Sequence, residues 1–288
     1  MRGERDQRGI VVLHARSLTQ TPRPCQAGGM PRIADQALPL QDWCVLSLRP
    51  RGQHASLRAA AARLGARTLA LSPFAIEARS DAATRAALRQ ASGGDIVLYT
   101  SPNAVAMAAA MQALRPRRGQ VVLAVGSGTA RALRRHGVDA RAPRRMDSEG
   151  LLAMAELGAV AQRRIGLVTG SGGRNLLAPA LRGRGAEVLR ADVYARVALP
   201  PAPQALERLR IALADPRRLL LPLGSGEALQ QAMAALPAPL RKPFARVAVV
   251  AAGARLAAVA RDAGFRRIAI AADARPGSLL RAAAGTFG

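Results

Sequence analysis

The chain repeats itself in an ordered way, and that repeat limits what it can fold into. V-L-S-L-R-P (45–50) leads through an Ala-rich segment into R-L-G-A-R-T-L (63–69). The stretch 165–189 repeats that unit, with Gly65-Ala66 matching Gly185-Ala186. D-I-V-L-Y-T-S-P-N-A-V (95–105) is echoed by L-L-L-P-L-G-S-G-E-A-L (219–229), with Ser101 matching Ser225. V-V-L-A-V-G-S-G-T-A-R-A-L-R-R-H-G (121–137) is echoed by 247–264, with Gly137 matching Gly264. Paired blocks in the same order predict two related α/β lobes. Loops that face each other across two lobes make a cleft, which is where a ligand is expected.

The local pattern agrees with an α/β reading. Short β-type runs fall at 45–48, 68–71, 96–100, 121–125, 165–168, 188–193, 219–223, 247–251 and 267–271. Most precede a Gly, Ser or Pro turn and then an Ala/Leu/Arg helix. That alternation predicts parallel sheets with right-handed crossovers and helices on both faces. Ligands of such sheets sit beyond the carboxyl ends of the strands. The turns there are R-P-R-G-Q (49–53), T-S-P-N (100–103), G-S-G-T (126–129), T-G-S-G-G-R-N (169–175), G-S-G-E (224–227) and A-A-G-A-R (251–255). Small residues beside a helix start offer backbone N–H groups to anions. The same residues also read simply as helix caps and tight turns.

Composition narrows the partners. The 288 residues carry a formal net charge of +25, and Lys242 is the only lysine. Abundant Arg and Ala reflect GC-rich coding as much as selection. The excess charge still attracts anions, whether nucleic acid, anionic lipid or a polycarboxylate. Aromatic residues make up 2% of the chain, which leaves little surface for stacking bases and argues against nucleic acid. Cys25 and Cys44 form no C-x-x-C and have no nearby His pair, so neither a metal site nor a disulfide framework is expected. A reduced, cytoplasmic setting follows as the default. The longest uncharged run, 96–114, has T-S-P-N in its middle and reads as strand, turn and helix rather than a membrane span. The N-terminus has charge but no adequate apolar core for a signal peptide. Residues 1–42, rich in Pro and Gly, read either as a disordered extension or, up to Met30, as sequence ahead of the true start.

Several catalytic templates are excluded. G-S-G-T-A-R and G-S-G-G-R-N lack the third Gly of a dinucleotide fingerprint. No P-loop and no G-x-S-x-G elbow occur. His14, His54 and His136 are far apart in sequence, which disfavours a His-based triad.

From Trp43 onward the chain resembles the uroporphyrinogen-III synthase family. The resemblance rests on V-L-S-L-R-P, I-V-L-Y-T-S-P-N-A-V, V-L-A-V-G-S-G-T-A-R-A-L and D-S-E-G-L-L. It continues through G-S-G-G-R-N-L-L-A-P-A-L-R-G-R-G-A-E-V-L-R-A-D-V-Y, G-S-G-E-A-L-Q-Q and A-R-L-A-A-V-A-R-D-A-G-F. The fold it implies is α/β: two flavodoxin-like parallel-sheet lobes joined by a two-strand hinge, with a cleft between them. Lobe one would comprise 43–74 plus 197–288 and lobe two 75–196, with crossings near 69–76 and 188–196. The implied reaction closes the linear tetrapyrrole hydroxymethylbilane with inversion of its last ring and loss of water. Holding a geometry and stabilising charge is the main task there, so a sparse inventory of catalytic side chains and no cofactor are expected. The substrate's eight carboxylates would meet the positive charge. The resemblance also implies the upstream hydroxymethylbilane synthase as a partner, and a monomer is expected.

Carried over position by position, Tyr194 matches a recurrent cleft tyrosine that can protonate or orient the departing hydroxyl. Its plain alternative is a half-buried strand residue. Thr129 matches a cleft threonine, with Gly126 in the same loop. Ser101 and Ser225 match paired loops that contact carboxylates. Gly172, Gly173 and Arg174 form a G-G-R loop, and Arg49 joins Arg174 as a bidentate carboxylate partner. There are departures. Leu48 stands where the family has Thr, Thr169 where it has Arg, and Gly224 where it has Thr; Pro222 is expected to interrupt its strand. Two rival readings stay open: a non-catalytic tetrapyrrole-binding or regulatory protein of the same fold, and a basic nucleic-acid-binding protein carried by charge alone.

Overall fold

The apolar runs become two five-stranded sheets, each wrapped by helices. The structure is a computed structural model and describes residues 38–171 and 175–288. The chain runs β1 (Cys44–Ser47), α1 (Ala55–Ala62), β2 (Arg67–Ala70), β3 (Phe74–Ala78), α2 (Ala82–Ser92), β4 (Ile96–Tyr99), α3 (Pro102–Met111), β5 (Val121–Ala124) and α4 (Ser127–Arg134). It continues through α5 (Ser148–Leu152), β6 (Arg164–Ser171), α6 (Leu177–Gly183), β7 (Glu187–Ala198), α7 (Pro203–Ala212), β8 (Leu219–Leu223), α8 (Gly226–Ala235) and α9 (Ala238–Phe244). It ends with β9 (Ala248–Ala251), α10 (Ala254–Asp262), β10 (Ile268–Ile270) and α11 (Pro276–Phe287). The expectation of an N-terminal extension falls, up to residue 37, outside the described residues. Residues 39–42 form a turn, and Leu40 there is fully buried.

One sheet has the order β10-β9-β8-β1-β2 and is parallel throughout. The other has the order β3-β7-β6-β4-β5 and is mixed, because β3 runs antiparallel to β7. The expectation of wholly parallel sheets is therefore corrected for the second one. The reason is topological: β3 carries the chain from β2 into the second sheet, and the end of β7 carries it back toward β8. Two neighbouring strands that make the same passage in opposite senses pair antiparallel. The pairing lies at 74–78 with 194–198, a little beyond the stretches expected for the crossings.

Both sheets are buried on both faces, which explains why their strands are continuous apolar runs. In the first sheet Leu46, Leu221 and Val249 point into one apolar cluster, and Val45, Leu220 and Val250 into the other. In the second, Val97, Tyr99 and Val168 face one side and Ile96, Leu98 and Leu167 the other. Close helix packing depends on Gly166: a Cβ there would lie 1.8 Å from the carbonyl oxygen of Ala91 in α2. Burial pushes the Tyr99 phenol up to about 12.

Pro222 does not interrupt its strand. It lies within β8 and pairs with Val250 of β9, while the ladder from β8 to β1 ends at Leu220. Proline lacks an N–H, so it is tolerated where the ladder on one side has already ended.

Under the first sheet, Phe244 and Phe265 are both fully buried and meet edge to face, with centroids 5.7 Å apart and rings at 77°. Truncating a buried aromatic costs its transfer energy plus a cavity term. Phe265→Ala is expected to lower unfolding free energy by about 3–5 kcal/mol in urea denaturation. A loss below about 1 kcal/mol would show that this core refills the space.

Candidate functional site

The carboxyl ends of strands from both sheets converge on a cleft of about 610 Å³. From the second sheet come Thr100 after β4, Thr169 and Gly170 on β6, and Arg190, Tyr194 and Arg196 on β7. The first sheet supplies Ser225 and Glu227 at the start of α8, and Arg255 in the first turn of α10. This is the position expected of a ligand site in an open α/β sheet.

Tyr194 is aimed by a break in strand register. Thr169 pairs with Asp192, but the next β6 residue, Gly170, pairs with Tyr194, so β7 holds one extra residue at that point. Residues that pair side by side share a face, and neighbours along a strand alternate. Without the shift, Tyr194 would share the face of Asp192. With it, Tyr194 takes the face of Gly170 and joins the cluster formed by Val168, Ala191 and Val193. Such bulges re-aim side chains at functional sites. The ring then lies directly over Gly170, where a Cβ would come within 2.2 Å of it.

Tyr194 is 3% exposed, and its phenol oxygen is 3.1 Å from Ser101 Oγ. Ser101 caps α3 by accepting the Ala104 N–H at 3.0 Å. That bond leaves the Ser101 hydroxyl proton free to be donated to the phenol oxygen. Alongside, the Thr100 hydroxyl donates to Thr169 Oγ1 at 2.7 Å and joins β4 to β6.

Charged groups line the cleft in pairs. Arg190 donates from Nε to both Asp192 oxygens, at 3.0 and 3.1 Å, and from Nη2 to Oδ1 at 2.9 Å. Its Nη1 donates to Asn175 Oδ1. Arg196 donates from Nη1 to Glu227 Oε2, which joins β7 to α8, and its guanidinium lies 5.7 Å from the Phe74 ring centroid. Arg255 makes no ion pair among the described residues.

Beside the cleft is a smaller cavity of about 240 Å³, lined by Arg49, Pro50, Phe74, Gly224 and Ser225 among others. Ser225 lines both spaces, and its Oγ accepts the Ala228 N–H at 3.3 Å to cap α8. Burial lowers the pKa of Arg49 from its ordinary value. His54 ties this loop together: Nδ1 is 2.8 Å from Ser47 Oγ and Nε2 is 2.9 Å from Ser72 Oγ. Burial, with the charges of Arg58 and Arg49 adding to it, lowers the His54 pKa and favours the neutral ring.

The residues singled out from sequence thus fall in four places. Tyr194 and Ser225 line the cleft, and Ser101 stands behind Tyr194. Arg49 lines the adjoining cavity. Gly126 and Thr129 do not line the cleft: Gly126 is the N-cap of α4, with Met146 packed over it, and Thr129 is 2% exposed on the buried face of that helix with Ala130 and Leu133. Gly172, Gly173 and Arg174 lie outside the described residues. Sequence reasoning missed Arg190, Asp192, Arg196 and Glu227. For the three on β7, charged residues at 190, 192 and 196 of the stretch R-A-D-V-Y-A-R were the available signal.

Comparison with known proteins agrees with this architecture. A family model described as uroporphyrinogen-III synthase HemD matches residues 55–281. The uroporphyrinogen-III synthase of Salmonella typhimurium is 36% identical over 194 residues, which cover 65% of this chain and 78% of that protein. A mutant uroporphyrinogen III synthase from Thermus thermophilus superposes with a TM-score of 0.57 at 25% identity, covering 83% of this chain and 96% of that one. The uroporphyrinogen-III synthetase of Helicobacter pylori shares the fold with a TM-score of 0.55 at 12% identity, over 84% of this chain and 98% of the other.

The Gly170 contact gives a test of how Tyr194 is placed. Gly170→Ala is expected to displace the ring, cut turnover at least tenfold and cost about 1–3 kcal/mol of stability. Kinetics and urea denaturation of the same preparation check it; unchanged turnover would show that the ring position is not needed.

Proposed function

The chain belongs to the uroporphyrinogen-III synthase family, and on that footing we propose that it closes hydroxymethylbilane to uroporphyrinogen III in the cleft around Tyr194. It is a lyase-type enzyme of tetrapyrrole biosynthesis. The single observation that carries the assignment of the site is the Tyr194 phenol, aimed by a register shift and backed by Ser101, in a cleft lined by three arginines.

In this reading Ser101 donates its hydroxyl proton to the phenol oxygen, which turns the Tyr194 O–H toward the substrate. The phenol proton passes to the terminal hydroxyl, the C–O bond breaks, and water leaves. An azafulvene cation remains on the first ring. Glu227 places negative charge on the cleft wall, which stabilises cationic charge as it develops. The last ring attacks through its substituted carbon and forms a spiro intermediate. One bond of that intermediate breaks and closes again with the ring inverted, and a ring proton passes to the Tyr194 phenolate, which completes uroporphyrinogen III and restores the phenol. Net change is loss of one water, with no oxidation or reduction. Arginines that hold the carboxylates supply orientation, which separates this product from the uninverted isomer formed spontaneously.

The two sheets would be the cores of two lobes, 43–74 plus 197–288 and 75–196, with the antiparallel β3–β7 pair as the hinge. Beyond the backbone ladder of that pair, two side-chain pairs join these portions: Arg196, on β7 opposite Ile76, with Glu227, and Gln53 Nε2 donating to Asn103 Oδ1 at 3.0 Å. They suit a closed form that releases as the contacts part. In this reading the protein acts as a monomer. Thr129, buried on α4, would serve the helix rather than the substrate. Arg49, Ser225, and the G-G-R loop at Gly172, Gly173 and Arg174 remain proposed carboxylate contacts. No helix among the described residues is long and apolar enough to cross a membrane.

A coupled assay with freshly generated hydroxymethylbilane tests the function. Type III product in excess of type I is expected; type I alone at every enzyme concentration would overturn it in favour of a non-catalytic tetrapyrrole-binding protein. Tyr194→Phe is expected to lower kcat by about 10²-fold with unchanged thermal stability, the usual size of a general-acid contribution. Full activity of that variant would remove Tyr194 from the mechanism.

A further inference from the structure

The β6–β7 wall holds a guanidinium that proton transfer leaves unused. Arg190 lines the cleft, and its side chain is 25% exposed. It pairs with Leu167 of β6, and Asp192, two residues on, pairs with Thr169, so the two charged residues share a face. Asp192 grips one edge of the guanidinium through Nε and Nη2, while Asn175 accepts from Nη1. A guanidinium has five N–H donors. Nε spends its single one, and Nη1 and Nη2 spend one each. One N–H therefore stays unspent on each terminal nitrogen and is available to an incoming carboxylate.

We propose that Arg190 binds one carboxylate of the linear tetrapyrrole through these two remaining N–H groups, and that Asp192 is the positioning residue that presents them. The proposal rests on the synthase reading above. Three nitrogens already anchored mean that little side-chain entropy is lost when the ligand arrives. Asp192 cancels the formal charge of Arg190, so this contact selects direction more than it attracts from afar. Long-range attraction falls to Arg255, which makes no ion pair among the described residues of the same cleft. A fork held in this way is not equivalent to an ammonium at the same place.

The experiment measures KM and kcat with hydroxymethylbilane, together with the affinity for uroporphyrin, a stable octacarboxylate, by fluorescence titration. Arg190→Gln is expected to raise KM and the uroporphyrin Kd by about 10- to 100-fold, the range for a charge-assisted bond, with kcat within twofold. Arg190→Lys is expected to recover less than a tenth of that loss. Asp192→Asn should raise KM and the uroporphyrin Kd to a smaller extent than Arg190→Gln, because the guanidinium stays but is presented less firmly. KM and Kd within twofold of wild type in Arg190→Gln would overturn the proposal, as would full rescue by lysine. If the glutamine variant does not fold, the lysine variant decides by the same KM and Kd. Type I product alone from the wild type would sink the synthase reading, while the uroporphyrin titration would still decide the role of Arg190.

Discussion

The pairing of β7 with β6 on one flank and β3 on the other ties the two sheets and the cleft together. β7 spans Glu187–Ala198, longer than any other strand described. Its first half belongs to a buried parallel ladder, and its last residues pair antiparallel with β3 on the way back to the first sheet. The register shift beside Gly170 lies between these two roles. A slip of one residue reverses which face a side chain takes. The shift therefore lets Arg190 and Asp192 project to one side of the sheet end and Tyr194 to the other, while Arg190 and Tyr194 both line the cleft.

Charge is arranged locally against the character of the whole chain. The formal net charge is +25, yet Arg190 and Arg196 in the cleft are each matched by a carboxylate. A partly buried guanidinium without a partner is costly to desolvate, and a carboxylate fixes its orientation. In the proposed reading, the surplus charge draws a polycarboxylate toward the protein, and the paired arginines orient it.

Much of the fold was legible. Nine β-type runs fall on observed strands because strands buried on both faces leave continuous apolar stretches. β3 was harder to see: Phe74–Ala78 contains Glu77, and its outer residues are exposed at the sheet edge. Pro222 misled in the opposite direction, since a proline is harmless where a ladder on one flank has already ended. In the site, Tyr194 and Ser225 were recognisable from their motifs. Arg190 and Arg196 were not, because in so Arg-rich a chain an arginine that lines a cleft looks like one that faces solvent.

The amino-acid sequence alone determined the alternation of strands and helices, the internal repeat, and the polar turns at the carboxyl ends of the strands. These are local properties, set by side-chain period, helix caps and backbone freedom at glycine. Tertiary structure decided which turns share a cleft, that the second sheet is mixed, and that Thr129 is buried on α4 while Tyr194 reaches the cleft. Such outcomes depend on strand register and on contacts between residues far apart in the chain. A one-residue shift opposite Gly170 leaves no mark in composition or periodicity, yet it determines where the phenol points.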